Sequence, residues 1–363
     1  MNVTAERLRA QIQRILAAWG MREDLARITT EVMVETNLLG VDSHGISMLT
    51  DYETSRARGK LNLNAEPAIV RENAVTALVD AGAGLGHPAA VKGMEIAILK
   101  AGKMGVGVVS VFNSHHFGAA GYYARMALEH GFIGMVTSAT RTINTVPTRG
   151  TVPVLGTNPI AFAAPARRNR PFVLDMATAT SAANKIRIYE MNAKPLPPGW
   201  VLDGAGAPVT DPTAAADTIY KRAANKGGGL TPLGGTEDMS SYKGYGLAMM
   251  AHILGSTLSG ASFSPLRVKT QKPSDPDNLG HFLLALDPKE FRPEGDFEDD
   301  LDDAIDVLHA TPPVDPALPV LVAGDPEAAA REQRLREGIP IPDSLAEKLR
   351  GVCERCGAEY LLG

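Results

Sequence analysis

The sequence predicts an α/β protein, and three observations carry that prediction. Short apolar runs rich in β-branched residues recur along the chain, as in GVGVVSVFNS (105–114) and HFLLALDP (281–288). Longer segments between them repeat apolar residues at helical spacing. With 363 residues, 44% of them hydrophobic and 21% charged, the chain can enclose a substantial core in one large domain or two.

Taken in order, Leu8, Ile12, Ile15, Leu16 and Trp19 share one helical face, with Thr4 as N-cap and Gly20 at the C-terminal end. Leu25, Ile28 and Val32 begin a second helix that runs toward Leu38 and stops at Gly40. VDSHGISML (41–49) follows that helix end, where polar side chains are free to face a cleft. TALVDAGAG (76–84) reads as a strand and turn, AAVKGMEIAILKAGKMG (89–105) as a helix, and 105–114 as a buried strand. GYYARMALEHG (121–131) is a helix ended by Gly131, and the segments starting at 132, 151 and 171 are strand-and-loop units. From 190 to 243 the chain is rich in loops, and connections of that length usually bind something. YGLAMMAHILGSTLSG (245–260) is a helix of small residues, HFLLALDP a strand, FEDDLDDAIDVLHA (297–310) an acidic helix and VLVAGDPE (320–327) a strand ending in a turn. Two charged helices follow. Strands alternating with helices argue for an α/β core.

Composition excludes several function classes. A net charge of −5 lacks the basic excess that engages nucleic-acid phosphates. No apolar run approaches the ~20 residues of a membrane span, and the first twenty residues alternate charge with apolar side chains, unlike a signal peptide. The two cysteines, Cys353 and Cys356, offer no disulfide framework, so a reducing cytoplasmic setting is expected. As a lone C-x-x-C without a second pair, they read as packing residues. No G-x-G-x-x-G follows a strand, since DAGAGLG (80–86) has the wrong spacing, and no Walker, G-x-S-x-G or H-E-x-x-H motif is present.

The chemistry-bearing residues fall in a few short stretches. His44 in DSHG titrates near neutrality, as an acid or base acting on a carbonyl oxygen must, and Ser43 can bond the same oxygen. A histidine simply satisfied within a loop is the plainer reading. In NSHHFGAAGYY (113–123), neighbouring histidines on extended chain point to opposite faces, which argues against a shared metal, and no metal is expected. The small residues after them either let amides at a helix start approach an anion or serve tight helix packing. Asp175 in LDMATAT stands at a strand end, where ligands sit in α/β proteins. Lys185 and Lys243, the latter in KGYG, are candidate contacts for phosphate or carboxylate.

Nine motifs in order resemble the malate/L-lactate dehydrogenase family of the second type, which includes ureidoglycolate dehydrogenase, diketogulonate reductase, sulfolactate dehydrogenase and piperideine-2-carboxylate reductases. They are VDSHG (41–45), SHHFGAAGYYA (114–124), LGTNPIAFAAP (155–165), VLDMAT (173–178), PGWVLD (198–203), VTDP (209–212), LTPLGG (230–235), KGYGLAMM (243–250) and LSGASF (258–263). The resemblance implies an α/β fold with a mixed central sheet that is not the Rossmann arrangement, flanked by helical N- and C-terminal segments. It implies an N-terminal segment (1–65) carrying the DSHG substrate loop, a central NAD(P)-binding and catalytic region (66–296), and C-terminal helices (297–363) packing back on the first segment. The implied activity is NAD- or NADP-dependent oxidoreduction of small 2-hydroxy, 2-oxo or 2-imino acids by a homodimer with active sites near the subunit interface.

Carried over by motif, His44 or His116 moves the proton, with Ser43 and Tyr52 on the substrate side. Thr140, Asp175, Met176, Ala177, Lys243, Gly324 and Asp325 fall at cofactor positions, and Lys185 joins them as a candidate. Two departures stand out. Met48 takes the place of an arginine able to fork onto a substrate carboxylate, and His115 that of an asparagine. Segment 236–242 is also longer than is common. Arg56, Arg58 and Arg141 are the candidates for a displaced positive charge. A reductase of cyclic 2-imino acids and a non-catalytic relative are the alternative readings.

Overall fold

In the computed structural model, which describes residues 1–221 and 227–363, Thr4 caps α1 (Ala5–Ala18) by accepting from the Arg7 N–H at 3.3 Å. The apolar stripe of α1 is buried against α2 (Glu23–Leu38), which ends beyond Leu38 with Gly40 at φ +85°. The same core takes in residues from the far end of the chain. α12 (Asp343–Cys356) contributes Leu349, Val352 and Cys353, and β1 (Asn2–Val3) pairs with β11 (Ile339–Pro340). Buried Gln11 fastens the tail, accepting from Leu361 N–H at 2.5 Å and donating to the Glu359 carbonyl at 3.1 Å. Both cysteines are free thiols, Cys353 within this core.

A seven-stranded sheet forms the second layer, in the order β2 (Ala68–Glu72), β3 (Thr76–Asp80), β4 (Val106–Ser114), β10 (Leu279–Leu286), β5 (Ile133–Ser138), β6 (Ile160–Ala164) and β7 (Phe172–Met176). The sheet is mixed: β3 and β4 run parallel, and the other neighbours are antiparallel. The apolar run of β10 is buried on both faces because it lies in mid-sheet. α4 (Gly86–Met104) packs on β4 and β10, and α5 (Ala120–Met126) on β5 and β6. Gly107 and Gly134 permit these approaches, since a Cβ on either would run into the backbone of Ala97 or Ala124. On the other face, α8 (Ser241–His252) continues into a π-helical turn (Ile253–Thr257) that packs on β10 and β5.

The 190–243 stretch holds more structure than its composition suggests. β8 (Val201–Asp203) pairs with β9 (Gly228–Leu230), and α7 (Pro212–Tyr220) is capped by Asp211, which accepts from Ala214 N–H at 2.7 Å. With α6 (Ala183–Met191) they enclose a small core around Ile186, Val201, Ile219 and Leu230. Residues 222–226 of this stretch lie outside the described residues. The expected strand at 320–323 is absent. That segment is irregular and touches the sheet edge through one bond, Val173 N–H to the Ala323 carbonyl at 2.9 Å. α3 (Leu49–Ala57), α9 (Ser264–Thr270), α10 (Asp296–His309) and α11 (Asp325–Glu337) complete the shell. No helix among the described residues is long and apolar enough to cross a membrane.

Candidate active site

The DSHG loop owes its shape to two anchors. Asp42 receives a bidentate pair from Arg334 of α11, at 2.6 and 2.9 Å, and a further bond from Asn37 Nδ2 at 2.9 Å. Asn37 Oδ1 accepts from Ile46 N–H at 2.8 Å, and a side chain at Gly45 would fall onto that amide. Asp and Gly thus hold the turn, while Ser43 and His44 project into a cleft of about 470 Å³. Ser43 Oγ lies 2.8 Å from His44 Nδ1, and burial of the imidazole pushes the pKa of His44 below its ordinary value.

His116 follows the end of β4 and faces the same cleft, its ring 5.3 Å from that of His44. Buried Tyr52, on α3, places its hydroxyl 2.7 Å from His116 Nδ1, and the Gly118 N–H donates to the same nitrogen at 3.3 Å. Burial, reinforced by His44, His87, His281 and Arg141, holds His116 well below the usual imidazole range. Burial also drives the Tyr52 phenol well above its ordinary value. His115 is built differently. Its Nε2 lies 2.9 Å from the Lys60 carbonyl and its Nδ1 3.5 Å from Asp277, so it is tied into a charged cluster that itself borders the cleft. Asp277 also pairs with Lys60 Nζ (3.1 Å) and Arg141 Nη1 (3.2 Å). Burial works against the Asp277 charge, but His115, Arg141 and Lys60 hold its carboxyl well below the usual range.

The opposite wall carries Asp175, Met176 and Ala177 at the end of β7. Asp175 Oδ2 accepts from Gly121 N–H at 2.7 Å, so an amide at the start of α5 meets a carboxylate of this chain. A Cβ at Gly121 would stand 2.9 Å from that oxygen. Asp175 is exposed to the cleft, yet the concave walls push its carboxyl up to about 6, against the Gly121 bond and with help from Glu327. Thr140 lines the floor, its N–H donating to Asn158 Oδ1 at 3.1 Å. Ala119, Ala120, Ala182 and Ala183 leave this side free of bulk. A carboxylate open to sugar hydroxyls beside small apolar walls fits a dinucleotide.

Eight predicted residues therefore share one cleft: Ser43, His44, Tyr52, His116, Thr140, Asp175, Met176 and Ala177. Four stand elsewhere. Lys185 lies over the Trp200 ring at 4.8 Å, and Lys243 is exposed at the start of α8. Gly324 leads into α11 at φ +105°, and Asp325 binds His309 Nε2 and Val322 N–H, each at 2.8 Å. Glu327, two residues on, does line the cleft. Of the arginines weighed as replacements at Met48, which itself lines the cleft, Arg141 lines it too. Arg56 lies 5.5 Å from the Trp19 ring, and Arg58 caps α3. Sequence reasoning missed Asp277 and Arg334, which act through contacts distant in the chain, and Asn37, whose bonds to Asp42 and Ile46 are near in sequence but carry no motif of their own. Among the described residues, no three His, Cys, Asp or Glu side chains are grouped to hold a metal ion.

Residues 3–350 match the model of the malate/L-lactate dehydrogenase family. The chain is 34% identical to the malate dehydrogenase of Pyrococcus horikoshii over 99% of its own length and 97% of that protein's. The crystal structure of malate dehydrogenase from Entamoeba histolytica superposes with a TM-score of 0.90 at 30% identity, covering 99% of both chains. The Δ1-piperideine-2-carboxylate reductase of Pseudomonas syringae superposes with a TM-score of 0.81 at 27% identity, over 97% of this chain and 99% of that one. With a family match across nearly the whole chain and two histidines, a tyrosine and an aspartate around one cleft, the protein belongs to the malate/L-lactate dehydrogenase family.

Proposed function

We propose that this chain is an NAD(P)-dependent oxidoreductase that interconverts small 2-hydroxy and 2-oxo acids, acting as a cytoplasmic homodimer. The observation that carries the reading is the pairing of walls across one cleft, Ser43, His44, Tyr52 and His116 on one side and Asp175–Met176–Ala177 on the other. A bound nicotinamide dinucleotide would supply the hydride chemistry. Asp175 would take its sugar hydroxyls, and the alanines beside Gly121 would leave room for its rings. Thr140 is the further candidate contact on the floor. On the substrate side His44 gives or takes the proton on oxygen, Ser43 orients that oxygen, and His116 directs its free Nε2 at the cleft. Arg141, paired on one side with Asp277, stands where it can meet the substrate carboxylate that Met48 cannot bind.

Thermal melting with NADH and NADPH tests the cofactor assignment, because ligand binding to the native state raises Tm. No shift with either at millimolar concentration would sink it. A panel of 2-oxo and 2-imino acids then tests the substrate class. A reductase of cyclic 2-imino acids is the second reading, favoured by the likeness to the piperideine-2-carboxylate reductase. NADPH oxidation with piperideine- or pyrroline-2-carboxylate but not with pyruvate or oxaloacetate would select it. Cofactor binding without turnover of any of these acids would instead indicate a non-catalytic relative.

A further inference from the structure

We propose that His87 is a positioning residue which, through Tyr52, locks His116 in the tautomer that carries its proton on Nε2, facing the cleft. His87 is the second residue of α4, fully buried, and has no part in the reaction described above. The preceding residue holds it in place, since Gly86 N–H donates to the His116 carbonyl at 3.0 Å. Its ring meets the edge of Tyr52 at 5.6 Å, and its Nε2 lies 3.5 Å from the Tyr52 hydroxyl oxygen.

The directions of the hydrogen bonds follow one from another. A backbone N–H can only donate, so the Gly118 amide requires a lone pair at His116 Nδ1. With no proton on that nitrogen, the 2.7 Å contact to Tyr52 can only be the phenol donating its hydrogen. The single hydroxyl hydrogen is then spent, and the phenol oxygen can meet His87 Nε2 only as an acceptor. His87 therefore carries its proton on Nε2 and its bare lone pair on Nδ1. That nitrogen is buried and has no hydrogen-bond partner among the described residues. An unpaired acceptor is a lesser liability than an orphaned N–H, so this is the better of the two tautomers.

The chain His87 → Tyr52 → His116 thus points one way, toward the cleft, and ends blind at its inner end. A proton cannot be replenished through it. On the proposed function, on which this consequence rests, His116 is a fixed hydrogen-bond donor to the substrate oxygen. The exchangeable proton falls to His44, whose Nδ1 meets a hydroxyl that can either donate or accept.

Long-range ¹H–¹⁵N NMR of uniformly labelled protein tests this without any turnover, with the His116 ring assigned from a His116→Gln variant. Wild-type protein at neutral pH is expected to show a bare Nδ1 and a protonated Nε2 at His116. Tyr52→Phe and His87→Leu are each expected to give a tautomer mixture, and His87→Gln, whose amide can still donate, to restore the single form. In steady-state assays His87→Leu should lower kcat at least about 10-fold with KM nearly unchanged, a fraction of the ~10⁴-fold that a wrong histidine tautomer costs in a hydrolytic triad. A protonated Nδ1 in the wild type, or a pure Nε2–H form persisting in Tyr52→Phe, would overturn the proposal. Absence of turnover on every acid would instead strike at the functional reading, and the tautomer measurement would stand apart from it.

Discussion

The two walls of the cleft are built in opposite ways. On the histidine wall the polar groups are bonded to one another: Asp42 to Arg334 and Asn37, Ser43 to His44, and His116 to Tyr52 and Gly118. On the facing wall Asp175 has one oxygen held by Gly121, and alanines line the cleft beside it. The first wall is set before any ligand arrives, while the second gains its full complement of contacts from the ligand. Preorganised donors aimed at reacting atoms need no rearrangement during the reaction, which suits the wall assigned to proton movement. A wall of alanines with the Asp175 carboxylate open beside them suits a large, flat, hydroxyl-bearing molecule.

The largest effect expected from disturbing this contrast is on stability, behind the histidine wall. His87 and His281 are both fully buried, and burial lowers each to about 3 from 6.5. Their folded-state pKa lies below the unfolded value, so the unfolded chain takes up protons first as pH falls. Stability is therefore lost progressively from about 6.5 down to about 3, by up to about 1.4 kcal/mol per pH unit for each histidine. Denaturant titrations at about pH 7.5 and about pH 5 would register the loss, and equal stability at both would show that these rings are not held neutral.

Next in size is the reaction itself. His44→Ala and His116→Ala should each lower kcat/KM by at least ~100-fold while the Tm shift with cofactor persists. If neither loses activity, the histidine wall is scaffolding. Arg141→Met probes the arginine paired with Asp277. Losing one charge-assisted bond to a carboxylate should raise KM for the oxo acid roughly 10-fold or more and leave the cofactor-induced Tm shift unchanged. An unaltered KM would point to Arg125, the other cleft-lining arginine.

Gly121→Ala should weaken dinucleotide binding by about 1 kcal/mol, because its methyl would crowd the Asp175 carboxylate. Calorimetric titration would read the change. Smallest in stability is Arg334→Met, with an expected loss of no more than ~1 kcal/mol for a partly exposed ion pair. Its larger effect should fall on kcat, since the loop presenting His44 would lose its outer clamp. A kcat matching wild type would show that Asn37 alone holds the loop.

How much of this was legible in the sequence depended on distance along the chain. α1, α2, α4 and the central strands were readable because local periodicity and capping residues such as Thr4 decide them. α7 was passed over although Asp211 and Pro212 form a plain start signal, because the surrounding glycines and prolines dominate the composition. The 320–323 run carried strand-like residues but found one hydrogen bond at a sheet edge, which no local pattern reveals. The place of β10 between β4 and β5 was likewise hidden, since pairing partners are not written into a strand. At the site, Ser43, His44, His116 and the Asp175 turn were legible from residue types that carry chemistry. Lys185 and Lys243 were singled out by charge, but charge does not say where a side chain points. Asp277, Arg334 and His87 were silent because their roles exist only through contacts made from afar.

The clamp on the histidine wall also has a consequence in time. Asp42 meets Arg334 across 292 positions, and Gln11 reaches Leu361 across 350. During synthesis the DSHG turn emerges early, yet the guanidinium that squares it and the segment that Gln11 fastens are translated far later. The central strands can pair while the chain is still growing, but the first layer must wait, its apolar helices without their final cover. Chaperone dependence and misassembly should therefore concentrate in that N-terminal layer, and catalytic competence should be among the last properties a newly made molecule acquires.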